Sequence, residues 1–255
     1  MIRVSADVAV QYERAPITEA LIDIRVESAS GPALSALESL HEEIRSQYPV
    51  KSKRVYVQGQ LSAGEEVGGA ATQKLMGFSF SSSDGSQIFQ ARMDGFTFSR
   101  LRPYGNWNEL RDEARRLWRV YRTCAKAARI SRVAVRYINQ IDIPVPQIDY
   151  KEYFRTSPEV SPDLPQGLSG FFMQLQFPQE DIGGILVLTQ TAVPPPVPSM
   201  TSVILDLDVL KENVKFRSDE EVWILLETLR DRKNKFFEGC ITDKTRRLFG
   251  ARKEY

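Results

Sequence analysis

The chain has one histidine, His41, and two cysteines, Cys124 and Cys240, among 255 residues. That scarcity removes most metal and thiol chemistry. A structural zinc site needs four soft or borderline ligands converging on one point, and a catalytic thiol needs a base beside it. Here the cysteines stand 116 residues apart, with no CxxC spacing. Both read as inert buried thiols on apolar helix faces, and His41, in HEEIR, as a surface residue of a helix. No run approaches the ~18 apolar residues of a membrane span. The opening MIRVSADVAVQYERAP lacks the apolar segment of a signal peptide. A cytoplasmic protein is therefore expected. Neither sign of charge is in excess, since 34 Lys+Arg face 33 Asp+Glu for a net charge of +1. The usual whole-protein argument for nucleic-acid binding is thus missing. There is no GxGxxG after a strand, no Walker loop, no GxSxG and no HExxH. No cofactor is indicated, and the balance leans away from an enzyme.

What is present is an ordinary globular composition, 42% hydrophobic and 26% charged, enough for one large core or two small ones. Leu21 to Glu27 (LIDIRVE) alternates, with Ile22, Ile24 and Val26 on one side and Asp23, Arg25 and Glu27 on the other, as a half-buried strand does. Ser30-Gly31-Pro32 opens a helix that Pro49 closes. Arg54 to Leu61 reads as a strand followed by a Gly-rich loop over Gly64-Glu65-Glu66-Val67-Gly68-Gly69. Lys74–Phe80 and Gln87–Arg102 read as a hairpin around Asp84-Gly85. Within the longer strand the apolar phase shifts at Asp94-Gly95, which a bulge would explain. Asn106 and Glu109 have capping-pair spacing for a helix reaching about Ala128. The second half offers a strand over Ile130–Ile143, a short helix at Tyr150–Thr156, and strands at Gly170–Phe177, Ile185–Thr191 and Ser202–Val209. A long helix then runs from Asp219 to Glu238, with Gly239 placed for a positive-φ helix end.

Each half is thus strand, helix, three strands, long helix. The expected class is α+β, a duplicated βαβββα unit with antiparallel sheets covered by helices. Residues 1–129 form the first half and 130–255 the second. The halves could sit side by side or fuse into one saddle-shaped sheet, as in the TATA-binding-protein-like architecture.

Four segments together carry a family likeness: YERAPITEALIDIRVE (Tyr12–Glu27); Leu117, Trp118 and Tyr121 on a long helix; Ile130 to Pro144 with its RYINQI core; and Leu229, Asn234, Phe237, Glu238, Ile241 and Thr242 near the end (NKFFEGCIT). The chain resembles a sporadically distributed bacterial and archaeal family of roughly 250-residue proteins with no established function. Members often carry His after the Leu of the terminal helix, where this chain has Arg230. The resemblance implies a stand-alone cytoplasmic protein and transfers no catalytic residue.

The densest chemical feature is basic. Between Ala114 and Arg136 there are eight Lys/Arg and no acid. Arg115, Arg119, Arg122, Lys126 and Arg129, at spacings of 4, 3, 4 and 3, form one stripe on the predicted helix. Such a row could hold phosphates or an acidic partner, or could be a solvated face paired with acids such as Glu38, Glu42 and Glu43. On the following strand Arg136 faces one way and Tyr137 and Asn139 the other. Asn139 could line a polar pocket or pin strand register. Asp206 and Asp208 form a same-face DxD that could bind Mg²⁺, although alternation alone also demands polar residues there. Arg100, Arg102, Tyr104 and Trp107 mix cations with aromatics, which suits base stacking or an edge-of-core Trp with snorkelling Arg. Pro194-Pro195-Pro196-Val197-Pro198 reads as a stiff polyproline connection.

The functional expectation is a non-enzymatic binding module for a protein or an anionic ligand, contacting it through Arg115, Arg119, Arg122, Lys126, Arg129, Arg136 and Asn139. Nucleic acid is a weaker candidate partner, a homodimer is allowed, and no membrane is involved. Two alternatives stay open: a metal-dependent hydrolase or nuclease using Asp206 and Asp208, and a component of a toxin–antitoxin-like module. The second rests on the family's sporadic distribution alone.

Overall fold

A computed structural model describes residues 12–27, 31–62, 68–125, 128–216 and 218–250. Lys126 and the loop residues Gly64 to Val67 lie outside this set. The described elements run β1 (Ile17–Glu27), α1 (Leu34–Ile44), β2 (Val50–Ser62), β3 (Gly68–Ser81), β4 (Gln87–Arg92), β5 (Gly95–Leu101) and α2 (Trp107–Cys124). They continue as β6 (Arg129–Ile143), α3 (Tyr150–Tyr153), β7 (Phe172–Gln179), β8 (Gly184–Val193), β9 (Thr201–Glu212), α4 (Asp219–Cys240) and α5 (Asp243–Leu248). The class is α+β, and the strands are hydrogen-bonded in the order β2-β3-β4-β5-β1-β6-β9-β8-β7. Among the described residues no helix is long and apolar enough to cross a membrane.

The chain divides into two compact units. One comprises Ala20–Ala134 with Glu212–Asp219, the other Met1–Glu19, Val135–Lys211 and Glu220–Tyr255.

In the first unit α2 starts where the sequence marks it. Asn106 Oδ1 accepts the Glu109 amide at 3.0 Å, and Asn106 Nδ2 donates to Glu109 Oε1 at 2.8 Å. The first bond satisfies one orphan amide of the helix start, and the second ties the capping side chain to Glu109. The apolar stripe of α2, Leu110, Ala114, Leu117, Trp118 and Tyr121, is buried, as are Leu37, Leu40 and Ile44 of α1. Both helices meet a file of rings from the strands. Phe80 and Phe89 lie 5.5 Å apart, Phe89 and Phe96 5.4 Å, and Phe96 and Trp118 5.6 Å. Fully burying such rings contributes roughly 1.5–3 kcal/mol each.

Several expectations need correction here. Gln87 to Arg102 is two strands, not one bulged strand, because Arg92 pairs with Gly95 and the chain reverses over Met93-Asp94. Gly95 sits at φ 155°, and a Cβ there would lie 2.5 Å from the Ile24 carbonyl oxygen. The apolar phase shift therefore marks a tight turn that returns the chain to the same face. The first half consequently carries four strands between α1 and α2, not three. Pro32 precedes the N-cap Ala33 of α1 and is not itself helical. His41 is half-buried, its Nε2 3.0 Å from the Tyr48 carbonyl oxygen and its ring stacked 5.3 Å from Phe80.

In the second unit β7, β8 and β9 form an antiparallel meander in which Leu175 faces Leu188 and Leu188 faces Leu207. Helix α4 buries Val222, Trp223, Leu226, Leu229, Lys233, Phe237 and Cys240, and Phe236 meets Phe177 of β7 at 5.5 Å. The helix continues to Cys240, so Gly239 is inside it and is not at positive φ. The next turn is capped by Thr242, which opens α5.

Candidate functional site

The predicted arginine stripe is dispersed over several partners. Arg122 donates from Nη1 to the carbonyls of Ala125 (2.8 Å) and Ala128 (2.9 Å), so it closes the C-terminal end of α2. Its Nε lies 3.6 Å from Asp219 Oδ2, and its guanidinium stacks over the Trp118 ring at 5.6 Å. Arg129 pairs with Glu27 at 2.7 Å. The neighbouring Arg116 holds Glu113 at 2.7 and 2.9 Å. Arg115 is half-exposed; Arg119 is exposed and makes no contact with an acid among the described residues. Of the described stripe, only Arg119 has the free guanidinium that the pattern suggested for all.

The strand candidates are equally engaged. Arg136 Nε donates to both oxygens of Asp206, at 2.9 and 3.1 Å, and Nη2 adds a bond of 2.5 Å. A carboxylate held bidentately by a guanidinium has its lone pairs directed at nitrogen, which leaves Asp206 poorly placed to ligate Mg²⁺. Among the described residues there is no group of three or more His, Cys, Asp or Glu arranged to hold a metal. Asn139 is buried, and its Nδ2 donates to the Leu205 carbonyl at 2.9 Å and the Tyr137 carbonyl at 3.3 Å. A side-chain amide bonded in this way fixes β6 against β9.

Two further polar groups escaped notice in the sequence. Asp23 lies on the side of β1 that alternation gave to solvent, yet is buried. It accepts from Arg92 (2.9 Å), Thr97 (2.9 Å), Arg25 (3.1 Å) and Arg132 (3.1 Å). Burial alone would push its pKa up, but Arg92, Arg25 and Arg132 outweigh that and hold it below the usual carboxylate range. Lys233 occupies a core position of α4 at 8% exposure, its Nζ 3.7 Å from the centroid of the Tyr137 ring. Burial, with help from the nearby charge of Arg230, pulls its pKa down to about 7.

An open cleft of about 740 Å³ is lined in part by Tyr48, Gln87, Arg100, Asn106, Glu109 and Glu113. Tyr48 donates to Glu113 at 2.6 Å and to Gln87 at 3.1 Å. Burial and then Glu113 raise the Tyr48 pKa, while Arg116 and Tyr48 outweigh burial and keep Glu113 below its ordinary value. The hydroxyl keeps its proton and the carboxylate stays ionised, so the pair has no proton to exchange near neutral pH.

The chain matches no family model, and a search of curated proteins likewise finds no match.

A further exposed cationic surface lies elsewhere, on the ribbon of β2 and β3. These strands pair from Val50↔Ser81 to Ser62↔Gly68, whereas β4 pairs with β3 only over Gly77 to Ser81. Beyond Gly77 the ribbon is two-stranded among the described residues. Its register shifts between Arg54 and Val55, where β3 has the extra residue Met76. Residues Lys51 to Tyr56 are all exposed, as is Lys74. Alternation puts Arg54 and Tyr56 on one face, and Lys74 is the cross-strand partner of Tyr56. Lys53 projects from the opposite face. Lys51 pairs with Glu38 at 2.8 Å, but the side chains of Lys53, Arg54 and Lys74 form no ion pair or hydrogen bond among the described residues, Lys53 acting on Glu38 through its charge alone. Tyr56 is 58% exposed beside them. The sequence signal was consecutive cations in VKSKRVY: a strand with Lys53 and Arg54 adjacent cannot bury either face.

Proposed function

We propose that the chain is a non-enzymatic binding module that takes an anionic partner on the β2–β3 ribbon. The observation that carries this reading is that Arg54 and Lys74 stand beside exposed Tyr56, with Lys53 exposed on the opposite face of the same ribbon, none of the three in an ion pair among the described residues. Exposed cations outside any ion pair attract phosphate, sulfate or carboxylate groups by release of counterions. An exposed tyrosine adds a flat apolar surface with a polar tip. Arg119 extends the same chemistry on α2. The carboxylates that an enzyme would need speak for binding rather than catalysis, since Asp23, Glu113 and Asp206 are each held by arginine.

We infer that the fold arose by duplication. In each half the strand neighbouring the first strand is the last one, giving β1-β5-β4-β3-β2 and β6-β9-β8-β7, an order that supports one repeated unit with β2 as an addition.

The test is chromatography on immobilised heparin, used as a generic polyanion. K53E/R54E/K74E should elute at markedly lower salt than the parent, with an unchanged circular dichroism spectrum. Elution at the same salt would overturn the assignment of the ribbon.

A further inference from the structure

Strand β7 stands at one end of the hydrogen-bonded order, with β8 as its only neighbour among the described residues. Edge strands ordinarily carry charge, prolines or bulges that discourage further pairing. From Gly170 to Gln179 this one reads GFFMQLQFPQ, with no charged residue. Its direction of bonding is known: the Phe171 carbonyl accepts from the Ala192 amide of β8 at 3.2 Å. Because bonding alternates along an antiparallel strand, the odd-numbered residues bond β8, and Phe172, Gln174 and Gln176 turn their amides and carbonyls to the open edge. Pro178 belongs to the same outward set, where a missing N–H does not cost β8 a bond.

The side chains point to what pairs there. Met173, Leu175 and Phe177 face α4, as the Phe177–Phe236 contact shows, yet remain only half-buried. On the other face Phe172 is 70% exposed and Gln174 and Gln176 are exposed. Around Leu175 the sequence is self-complementary. Antiparallel pairing with an identical strand about that residue sets Gln174 opposite Gln176, Met173 opposite Phe177, and Phe172 opposite Pro178. Leu175 then meets its own copy. Every opposed pair matches in polarity, no charge is brought near another, and the backbone bonds fall between Gln174 and Gln176, whose polar groups are free for them. We propose that β7 pairs antiparallel with the β7 of a second copy of this chain, making a homodimer with its twofold axis at Leu175.

Sedimentation velocity on the full chain tests this. The parent should sediment at twice the 29.0 kDa chain mass. Q174K/Q176K sets lysine against lysine twice across the axis and should weaken dimerisation roughly tenfold or more. Q174K/Q176E sets opposite charges across the same axis and should restore the dimer, which neither misfolding nor a different register would do. A monomeric parent, a Q174K/Q176K protein as dimeric as the parent, or a Q174K/Q176E protein that stays monomeric would each overturn the proposal.

Discussion

Lys233 falls four residues after Leu229 and four before Phe237, on the stripe by which α4 packs. A protonated amine there meets the face of Tyr137 but no carboxylate within ion-pair distance among the described residues. The unfolded chain binds this proton up to the ordinary lysine value of about 10.4, whereas the folded chain releases it near 7. Between those values the unfolded state holds more protons, so folding stability should rise with pH across the window. Lys233→Met should abolish that rise and raise stability at neutral pH by roughly 2 kcal/mol or more. Urea unfolding followed at pH 7 and pH 9.5 measures both effects. The parent gaining no stability over that interval would contradict the buried amine. Asp23 behaves with the opposite sign. Its depressed pKa supplies stability above the usual carboxylate range, and this is lost as acid protonates it.

Among the elements, the ring file of the first unit sets the cost of change. Phe96 bridges Phe89 and Trp118 and is fully buried. Phe96→Ala should destabilise the protein by about 3–5 kcal/mol through the cavity it leaves, read as a lowered urea midpoint at unchanged slope. A loss below about 1 kcal/mol would mean the sheet and α2 are not packed through these rings. Local signals were well legible here. The Asn106–Glu109 cap and the stripe of α2 follow from spacing that one helix fixes by itself. Asp94-Gly95 was visible too, but a phase shift of apolar residues fits a bulge or a turn, and only pairing decides between them. Gly239 misled because a helix packed along its whole length can continue through glycine at modest cost. The arginine stripe misled for a different reason. Spacing shows that Arg115, Arg119 and Arg122 share a helix face, but Asp219 and Glu27, which neutralise Arg122 and Arg129, come from distant segments. Pairing of charges is a tertiary property, and no helical periodicity encodes it.

For the whole molecule, a net charge of +1 conceals an uneven distribution. The arginines beside Asp23, Glu27, Glu113, Asp206 and Asp219 are matched within their own units, while Lys53, Arg54 and Lys74 are exposed and outside any ion pair among the described residues, on the ribbon of β2 and β3. Screening at physiological ionic strength acts over about 8 Å, so such a patch acts on a partner locally even though the sum is near zero. Direct titration with a short heparin oligosaccharide at several salt concentrations measures how far the ribbon cations bind an anion. K53E/R54E/K74E should bind more weakly and show a shallower dependence of log affinity on log salt than the parent, with R119E changing both far less. An equal salt slope in the parent and K53E/R54E/K74E would contradict it.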